Sequence, residues 1–241
     1  MDDVLKLQEF INESTNIVFF GGAGVSTESG IKDFRGKNGL YNSKNEFKFP
    51  PEYMLSHECL IDDSDIFFDY YRKNMNFTNV KPNITHEYLK KLEDSSKLKA
   101  IVTQNIDGLH QKAGSKNVLE IHGTTNRCYC MKCLKEYPGS SIFEFKGIPR
   151  CECGGMLRPD VILYGENLKE TYMEAINYIS KADLLIVAGT SLTVEPASSL
   201  VRYFNGKHLV IINNTKTNYD HFAELVINKP LGEVFSKLKV L

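Results

Sequence analysis

Five short apolar runs rich in β-branched residues recur along the 241-residue chain. They are residues 17–20, 100–102, 119–121, 184–187 and 209–212. Polar or helix-patterned stretches separate them, such as residues 86–92 and 170–180. Continuous apolar runs are typical of strands buried on both faces of a parallel sheet, and helical segments suit the crossovers between such strands. The sequence therefore predicts an α/β fold with a Rossmann-like doubly wound parallel sheet.

Two stretches fit that sheet poorly. Residues 37–80 are rich in Asn, Phe, Tyr and Pro, and residues 124–158 hold five of the six cysteines. We assign both to a smaller inserted domain, with a helical module in the first stretch and a cysteine module in the second. Aromatic residues at helical spacing in the first stretch are expected to be core: Phe67, Phe68, Tyr70 and Tyr71. Residues 1–36, 81–123 and 159–241 would then form the large domain, which the strand pattern predicts to be Rossmann-type.

The charge pattern and the absence of long apolar stretches limit the possible partners. Formal net charge is −1, with basic and acidic residues mixed, so we expect no direct binding to nucleic acid or membrane. Residues 4–11 have helical spacing and lack the unbroken apolar core of a signal peptide. We therefore expect a cytoplasmic chain, in which clustered cysteines indicate metal ligands or catalysts and not disulfides.

The cysteines form two close pairs. Two residues separate Cys130 from Cys133, one residue separates Cys151 from Cys153, and seventeen lie between the pairs. This spacing is close to that of a zinc ribbon, and four thiolates suit tetrahedral zinc. Four cysteine ligands leave no position for water, so one structural Zn²⁺ is predicted and not a catalytic one. Cys128 is an alternative to Cys130, although four residues lie between it and Cys133.

A turn of small residues, 21–26, follows the first apolar run. Backbone N–H groups there could hold phosphate oxygens. Thr27 stands in place of the third glycine of the usual dinucleotide-binding pattern, and no acidic residue follows the next predicted strand. Alone, the turn fits a strand-to-helix connection without ligand equally well. Asp33, Phe34 and Arg35, close behind it, add a carboxylate, a ring and a guanidinium that favour a ligand site.

Polar side chains follow two other predicted strands. Residues 103–110 read Thr-Gln-Asn-Ile-Asp-Gly-Leu-His directly after one apolar run, and His122 follows the next. If these strands are parallel neighbours, their carboxyl ends supply one ligand crevice. Within this stretch Asp107 has an alternative role as a helix cap, and His110 is expected to pack locally.

Taken in order, these motifs resemble the sirtuin family. The matching stretches are residues 22–26, 30–35, 103–110, 122–123, the cysteine pairs, 157–161, 189–192 and 212–213. The resemblance implies a large Rossmann-type domain with a smaller zinc-bearing one, and NAD-dependent removal of acyl groups from lysine side chains. It implies a protein-lysine deacetylase that uses NAD⁺ as co-substrate and acts on acetyl-lysine proteins or peptides. A longer-chain deacylase and a protein ADP-ribosyltransferase stay open as alternatives.

The resemblance also implies roles for single residues. His122 would be the general base acting through the ribose hydroxyls, and Asn105 would complete the catalytic pair. The cofactor-binding positions would be Gly22, Ala23, Gly24, Ser26, Ile31, Asp33, Phe34, Arg35, Gln104, Asn105, Asp107, Gly189, Thr190, Ser191 and Asn213. The acyl-lysine tunnel and the edges that pair with the peptide would be Val161, Ile162, Tyr164, Gly165, Glu166 and Val194.

One departure from the family bears on acyl preference. Relatives selective for succinyl or malonyl lysine carry a Tyr-x-x-Arg pair, whereas Asp69 precedes Arg72 at that spacing here. We expect its carboxylate to disfavour acidic acyl groups by like-charge repulsion.

Overall fold

A computed structural model of the chain describes residues 2–34, 36, 39–41 and 49–240. Within them the strands are β1 (Ile17–Gly21), β2 (Leu98–Thr103), β3 (Val118–Glu120), β4 (Gly123–Cys130), β5 (Glu136–Pro138), β6 (Leu157–Val161), β7 (Leu184–Ala188), β8 (His208–Ile212) and β9 (Leu225–Ile227). The α-helices are α1 (Asp3–Glu13), α2 (Pro51–Met54), α3 (His57–Asp62), α4 (Ser64–Asn74), α5 (Ile84–Asp94), α6 (Leu109–Lys112), α7 (Ser140–Glu144), α8 (Thr171–Lys181) and α9 (Leu231–Phe235). Short 3-10 helices span Ala23–Val25, Thr27–Ser29, Ala197–Tyr203 and Asp220–Phe222.

The larger sheet is parallel throughout, with strand order β3-β2-β1-β7-β8-β9. This is the doubly wound order in which the chain reverses direction across the sheet between its first and fourth strands, here β1 and β7. The predicted α/β class is confirmed, and all five apolar runs form strands of this sheet. β9 escaped prediction because three residues carry too little periodicity to be recognised.

Helices cover both faces of the large sheet. On one face α1, α5 and α9 bury apolar side chains such as Leu7, Leu89 and Phe235 against β1 and β7. On the other, α8 and the 3-10 helix Ala197–Tyr203 pack against Val18 and Phe20. Every residue of β1, β7 and β8 is buried. Burial of one such side chain contributes about 1.5–3 kcal/mol, so the two layers hold the strand ends rigidly.

The smaller sheet is antiparallel, with order β5-β4-β6. The aromatic residues of α4, which the sequence predicted to be core, pack beneath it in one buried cluster: Phe67, Phe68, Tyr70 and Tyr71. β4 begins directly after His122, and β6 ends at Val161. The proposed domain boundaries at 123/124 and 158/159 therefore fall inside these two strands. None of the helices in the described part of the chain has the length and apolar character needed to cross a membrane.

Candidate active site

A cleft of about 1080 Å³ opens where the carboxyl ends of β1, β2 and β7 face the end of β6. In open α/β sheets ligands bind beyond the carboxyl ends of the strands, where the strand order reverses. Most of the residues singled out in the sequence line this cleft: Ala23, Gly24, Ser26, Ile31, Asp33, Phe34, Gln104, Asn105, Asp107, His122, Val161, Ile162, Tyr164, Gly165, Glu166, Gly189, Thr190, Ser191, Val194 and Asn213. Arg35 lies outside the described residues.

Three glycines let the loops after β1 and β7 touch. A Cβ atom on Gly24 would lie 2.7 Å from Gly189 Cα, and one on Gly22 would lie 2.7 Å from Thr190 Cβ. The backbone N–H of Gly24 donates to the carbonyl oxygen of Gly189 at 2.8 Å. Gly189 itself has φ +59°, a conformation that L side chains rarely adopt. Gly22 thus packs against the loop after β7, while Gly24 also lines the cleft.

Ser26, Asn105 and Asp107 form a buried hydrogen-bonded group. Ser26 Oγ donates to Asp107 Oδ2 at 2.7 Å and accepts from Asn105 Nδ2 at 3.1 Å. Asp107 Oδ1 accepts from the backbone N–H of Leu109 at 2.9 Å, at the start of α6. Gly108 is the N-cap residue of α6, and Asp107, one position earlier, accepts from the first N–H of this helix. At the same time Asp107 fixes the serine of the glycine loop. Burial raises the pKa of Asp107, against the lowering effect of these two hydrogen bonds.

His122 lies at the carboxyl end of β3, half-buried beside the end of β2. Its Nδ1 lies 3.1 Å from the carbonyl oxygen of Gln104. A carbonyl oxygen only accepts, so Nδ1 carries the proton and the neutral ring keeps a lone pair on Nε2. Burial lowers the pKa of His122, although its bond to Gln104 favours the charged form. The histidine is therefore held as a neutral imidazole, the form that can accept a proton.

Gln104 connects His122 to the other strand ends. The backbone N–H of Gln104 donates to the carbonyl oxygen of Gly21 at 3.0 Å. Its Nε2 donates to Thr190 Oγ1, also at 3.0 Å. One residue thus ties the ends of β1, β2, β3 and β7 together, and the relative positions of the imidazole and the glycine loop follow from the sheet.

On the β6 side of the cleft, Glu166 has a structural task. Its carboxylate accepts from Arg158 at 2.5 and 3.0 Å, from the backbone N–H of Leu163 at 2.9 Å, and lies 2.9 Å from His57 Nδ1. Burial by itself would raise the pKa of Glu166, but these hydrogen bonds lower it to about 2. The ion pair fixes the turn that presents Tyr164 and Gly165 to the cleft.

Other residues of the cleft wall were missed in the sequence. Their apolar members include Leu55, Tyr71, Met75, Phe77, Val80, Ile106, Leu163 and Leu168, and polar residues such as Asn74, Asn76 and Glu195 also line the wall. The aromatic run of α4 indicated core, and Tyr71 is buried there and also lines the cleft. The preference against acidic acyl groups, argued from Asp69, stays a prediction. Asp69 is exposed, lies 3.6 Å from Arg72, and neither residue is among the described residues of the cleft wall.

The four paired cysteines come together at one end of the small sheet. The sulfur atoms of Cys130, Cys133, Cys151 and Cys153 all lie within 4.8 Å of one another, with two separations of 3.5 and 3.6 Å. Zn–S bonds of ~2.3 Å in a tetrahedron place sulfur atoms ~3.8 Å apart, so the arrangement fits one structural Zn²⁺. Cys128 instead donates to the carbonyl oxygen of Pro138 at 3.3 Å, so geometry favours Cys130 in the set.

The model of the Sir2 family matches residues 22–196. The chain belongs to the Sir2 family. The NAD-dependent protein deacetylase of Clostridium acetobutylicum is 52% identical over 237 residues, covering 97% of each protein, and that of Clostridium perfringens is 53% identical over 242 residues, covering 99% of each. The resemblance stated from the motifs is confirmed.

Solved Sir2 structures agree with this fold. A Sir2 complex with a p53 peptide and NAD⁺ is 36% identical, covers 96% of this chain and 95% of that one, and has a TM-score of 0.84. A Sir2 variant with deacetylated p53 peptide and 3′-O-acetyl-ADP-ribose, also 36% identical, covers 97% and 96% with a TM-score of 0.88. The Rossmann-like sheet and the attached cysteine module are therefore those of Sir2 proteins.

Proposed function

We propose that this chain is an NAD-dependent protein-lysine deacetylase. It consumes one water, transfers the acetyl group of acetyl-lysine to the ADP-ribose part of NAD⁺, and releases nicotinamide, the free lysine side chain and O-acetyl-ADP-ribose. The observation that carries the proposal is Nε2 of neutral His122, which has no hydrogen-bond partner among the described residues, in the same cleft as the Ser26, Asn105 and Asp107 group. Relatives about half identical in sequence that are NAD-dependent protein deacetylases support it.

In this proposal His122 is the general base. Its Nε2 accepts a proton from a ribose hydroxyl of the co-substrate, and the Gln104 carbonyl stabilises the imidazolium through Nδ1. NAD⁺ supplies the ribose carbon to which the acyl oxygen is transferred, with nicotinamide as leaving group. The Asn105 amide, held by Ser26, orients polar groups of the co-substrate next to this base.

The remaining cofactor positions have roles that follow from their chemistry. Backbone N–H groups around Ala23 and Ser26 suit the pyrophosphate, since the 3-10 turns there begin at glycine-rich backbone. Asp33 and Phe34 would cover the nicotinamide end and exclude water. Thr190, Ser191 and Asn213 follow β7 and β8 and would hold the adenosine half. The other cleft residues proposed to bind cofactor are Gly24, Ile31, Gln104, Asp107 and Gly189, together with Gly22, which packs beside Thr190.

The cysteine set would hold Zn²⁺ as a structural ion. Cys130, Cys133, Cys151 and Cys153 fill a tetrahedral site completely, so the metal supplies no position for substrate. We propose that it stabilises the small sheet, whose strand β6 leads into the cleft at Val161.

The substrate side suits acetyl-lysine in an extended peptide. Val161, Ile162 and Tyr164 would line the lysine tunnel, and the backbone of Gly165, Glu166 and Val194 would pair with the peptide as an added strand. Pairing through the backbone depends little on the side chains of the peptide, so it suits many protein substrates. We further propose that the protein acts in the cytoplasm, where reduced thiols can serve as metal ligands.

Mass spectrometry of an acetyl-lysine peptide, with and without NAD⁺, tests the proposal. We expect NAD-dependent deacetylation with O-acetyl-ADP-ribose from the wild type and none from His122→Ala. Nicotinamide release with ADP-ribosylated protein and no deacetylated peptide would favour the ADP-ribosyltransferase alternative. The apolar wall at Met75, Phe77 and Leu163 favours the second candidate, deacylation of longer chains, which the same assay tests with butyryl and octanoyl peptides.

A further inference from the structure

The ammonium group of Lys112 holds a loop of the cleft wall. Lys112 Nζ donates to the carbonyl oxygens of Val80 at 2.6 Å and Thr78 at 2.9 Å. Both belong to residues 75–80, which connect α4 to the segment before α5 and which we call the wall loop. Hydrogen bonds from a charged donor are stronger than those between neutral groups, so this side chain restrains the loop at two points.

The wall loop also has hydrogen bonds of its own. Asn76 Oδ1 accepts from the backbone N–H and the hydroxyl of Thr78 at 3.2 and 2.8 Å. The N–H of Val80 donates to the carbonyl oxygen of Phe77 at 3.1 Å. These bonds shape a turn, but they are local. Lys112 links the turn to a separate element, α6.

The loop presents apolar side chains to the cleft. Met75, Phe77 and Val80 line it. Phe77 packs in the same apolar cluster as Phe34 and Val161. Val161 is the last residue of β6 in the small sheet, and Phe34 lies in the loop after β1. The wall loop therefore closes the part of the cleft where an acyl group would lie.

Lys112 lies on the helix that starts at the catalytic segment. Asp107 accepts from Leu109, the first residue of α6, and Lys112 is the last residue of this one-turn helix. The position of the wall is therefore set relative to the same backbone that carries Asn105. We propose that Lys112 is a positioning residue that fixes the wall loop and thereby limits the length of acyl chain accepted, an inference that rests on the proposed deacylase function.

Three variants test the inference. Lys112→Met keeps the apolar stem and removes the donors, Lys112→Arg restores donors for two carbonyls, and Lys116→Met is a control at an exposed lysine nearby. Hydrogen exchange at the amides of Met75, Thr78 and Val80 reports the restraint directly. We expect exchange there to be roughly tenfold faster in Lys112→Met, because the hydrogen bonds from the charged ammonium group are lost. In Lys112→Arg and Lys116→Met the exchange rates should stay near those of the wild type.

Activity gives the second readout. We compare kcat/KM for a butyryl peptide with kcat/KM for an acetyl peptide. Their ratio should rise about threefold or more in Lys112→Met, since a less restrained wall loop admits longer chains, and should equal the wild-type ratio in Lys112→Arg. Unchanged exchange in residues 75–80, or an unchanged ratio in an active Lys112→Met enzyme, would overturn the inference. A wild type that deacylates no peptide refutes the proposed function instead, and the exchange result still decides whether Lys112 restrains the loop.

Discussion

The two sides of the cleft are built in different ways. On the side proposed to bind NAD⁺, called the cofactor side, the ends of β1, β2 and β7 are positioned by sheet register and by close backbone contact between Gly24 and Gly189. On the side proposed to hold the acyl group, called the acyl side, the wall depends on side chains that connect separate elements: Lys112 to the wall loop and Arg158 to Glu166. Where strand register and backbone contact set the positions, a substitution at any one of these residues disturbs the others. Where single hydrogen bonds and ion pairs set the positions, a substitution can change the shape of the wall, and with it the acyl group accepted, without disturbing the sheet.

The largest expected effect comes from removing the metal. Structural zinc contributes an apparent free energy of about 10–16 kcal/mol to the folding of small zinc modules. Cys133→Ser should lose the bound Zn²⁺ and abolish deacetylation, while NAD⁺ binding stays within about threefold, since the large sheet is packed separately. Metal analysis and calorimetric titration with NAD⁺ check this.

Cys128→Ala serves as the matched control for that experiment. Its thiol lies on β4, the strand that also carries Cys130, but outside the sulfur cluster, so the variant should keep one zinc per chain. Loss of zinc from the control, or of NAD⁺ binding along with zinc, would contradict the separation of the two sides.

The next effect concerns the Arg158–Glu166 pair. Glu166→Gln leaves a guanidinium that is only 7% exposed without a charged partner. Breaking such a buried pair costs about 3–5 kcal/mol, and the 18% exposure of Glu166 places this case near the lower limit. Urea unfolding should show the loss. The control is Glu152→Gln, from an exposed pair with Lys135, which should change the free energy of unfolding little; equal losses in both would refute the assignment.

A smaller effect is expected on the cofactor side from Gly24→Ala. The added Cβ would lie 2.7 Å from Gly189 Cα, and backbone cannot move aside as a flexible side chain can. Overpacking of this kind costs about 1–3 kcal/mol, and NAD⁺ affinity should fall roughly tenfold. Gly147→Ala is the control for backbone strain without a clash: φ +72° disfavours any L side chain there, but nothing lies within 4 Å of an added Cβ, so NAD⁺ affinity should stay at the wild-type value. NAD⁺ affinity equal to wild type in Gly24→Ala would show that the close contact is dispensable.

The smallest effect is the acid dependence of the free energy of unfolding. The pKa of Glu166 is lowered from 4.5 to about 2, so its contribution is fully present above pH 4.5 and is lost as pH falls from 4.5 towards 2. Stability curves measured by denaturant between pH 5 and 3 should therefore fall more steeply for the wild type than for Glu166→Gln. Parallel curves would mean that the carboxylate has no preferred charged partner.

The sequence predicted the cofactor side better than the acyl side, for a physical reason. Glycines, strand ends and polar residues such as Gln104 and His122 are contiguous in the chain, so local patterns show them. The hydrogen bond from Lys112 to Thr78 joins residues far apart in sequence, and no local sequence pattern around either residue predicts it. Glu166 was expected at the peptide edge, and its pairing with Arg158 appears only in the folded chain. The sequence predicted Tyr71 as a core residue, and Tyr71 is both part of the small-domain core and part of the cleft wall.

The measurement that tests the central claim most directly compares two activities of His122→Ala. If His122 acts only after nicotinamide leaves, the variant should still exchange isotope-labelled nicotinamide into NAD⁺ in the presence of acetyl peptide, while it forms almost no O-acetyl-ADP-ribose. NAD⁺ binding, measured alongside, should stay close to wild type. Formation of O-acetyl-ADP-ribose at the wild-type rate would contradict the role of His122 as base, and loss of exchange with NAD⁺ binding intact would contradict its place in the sequence of steps.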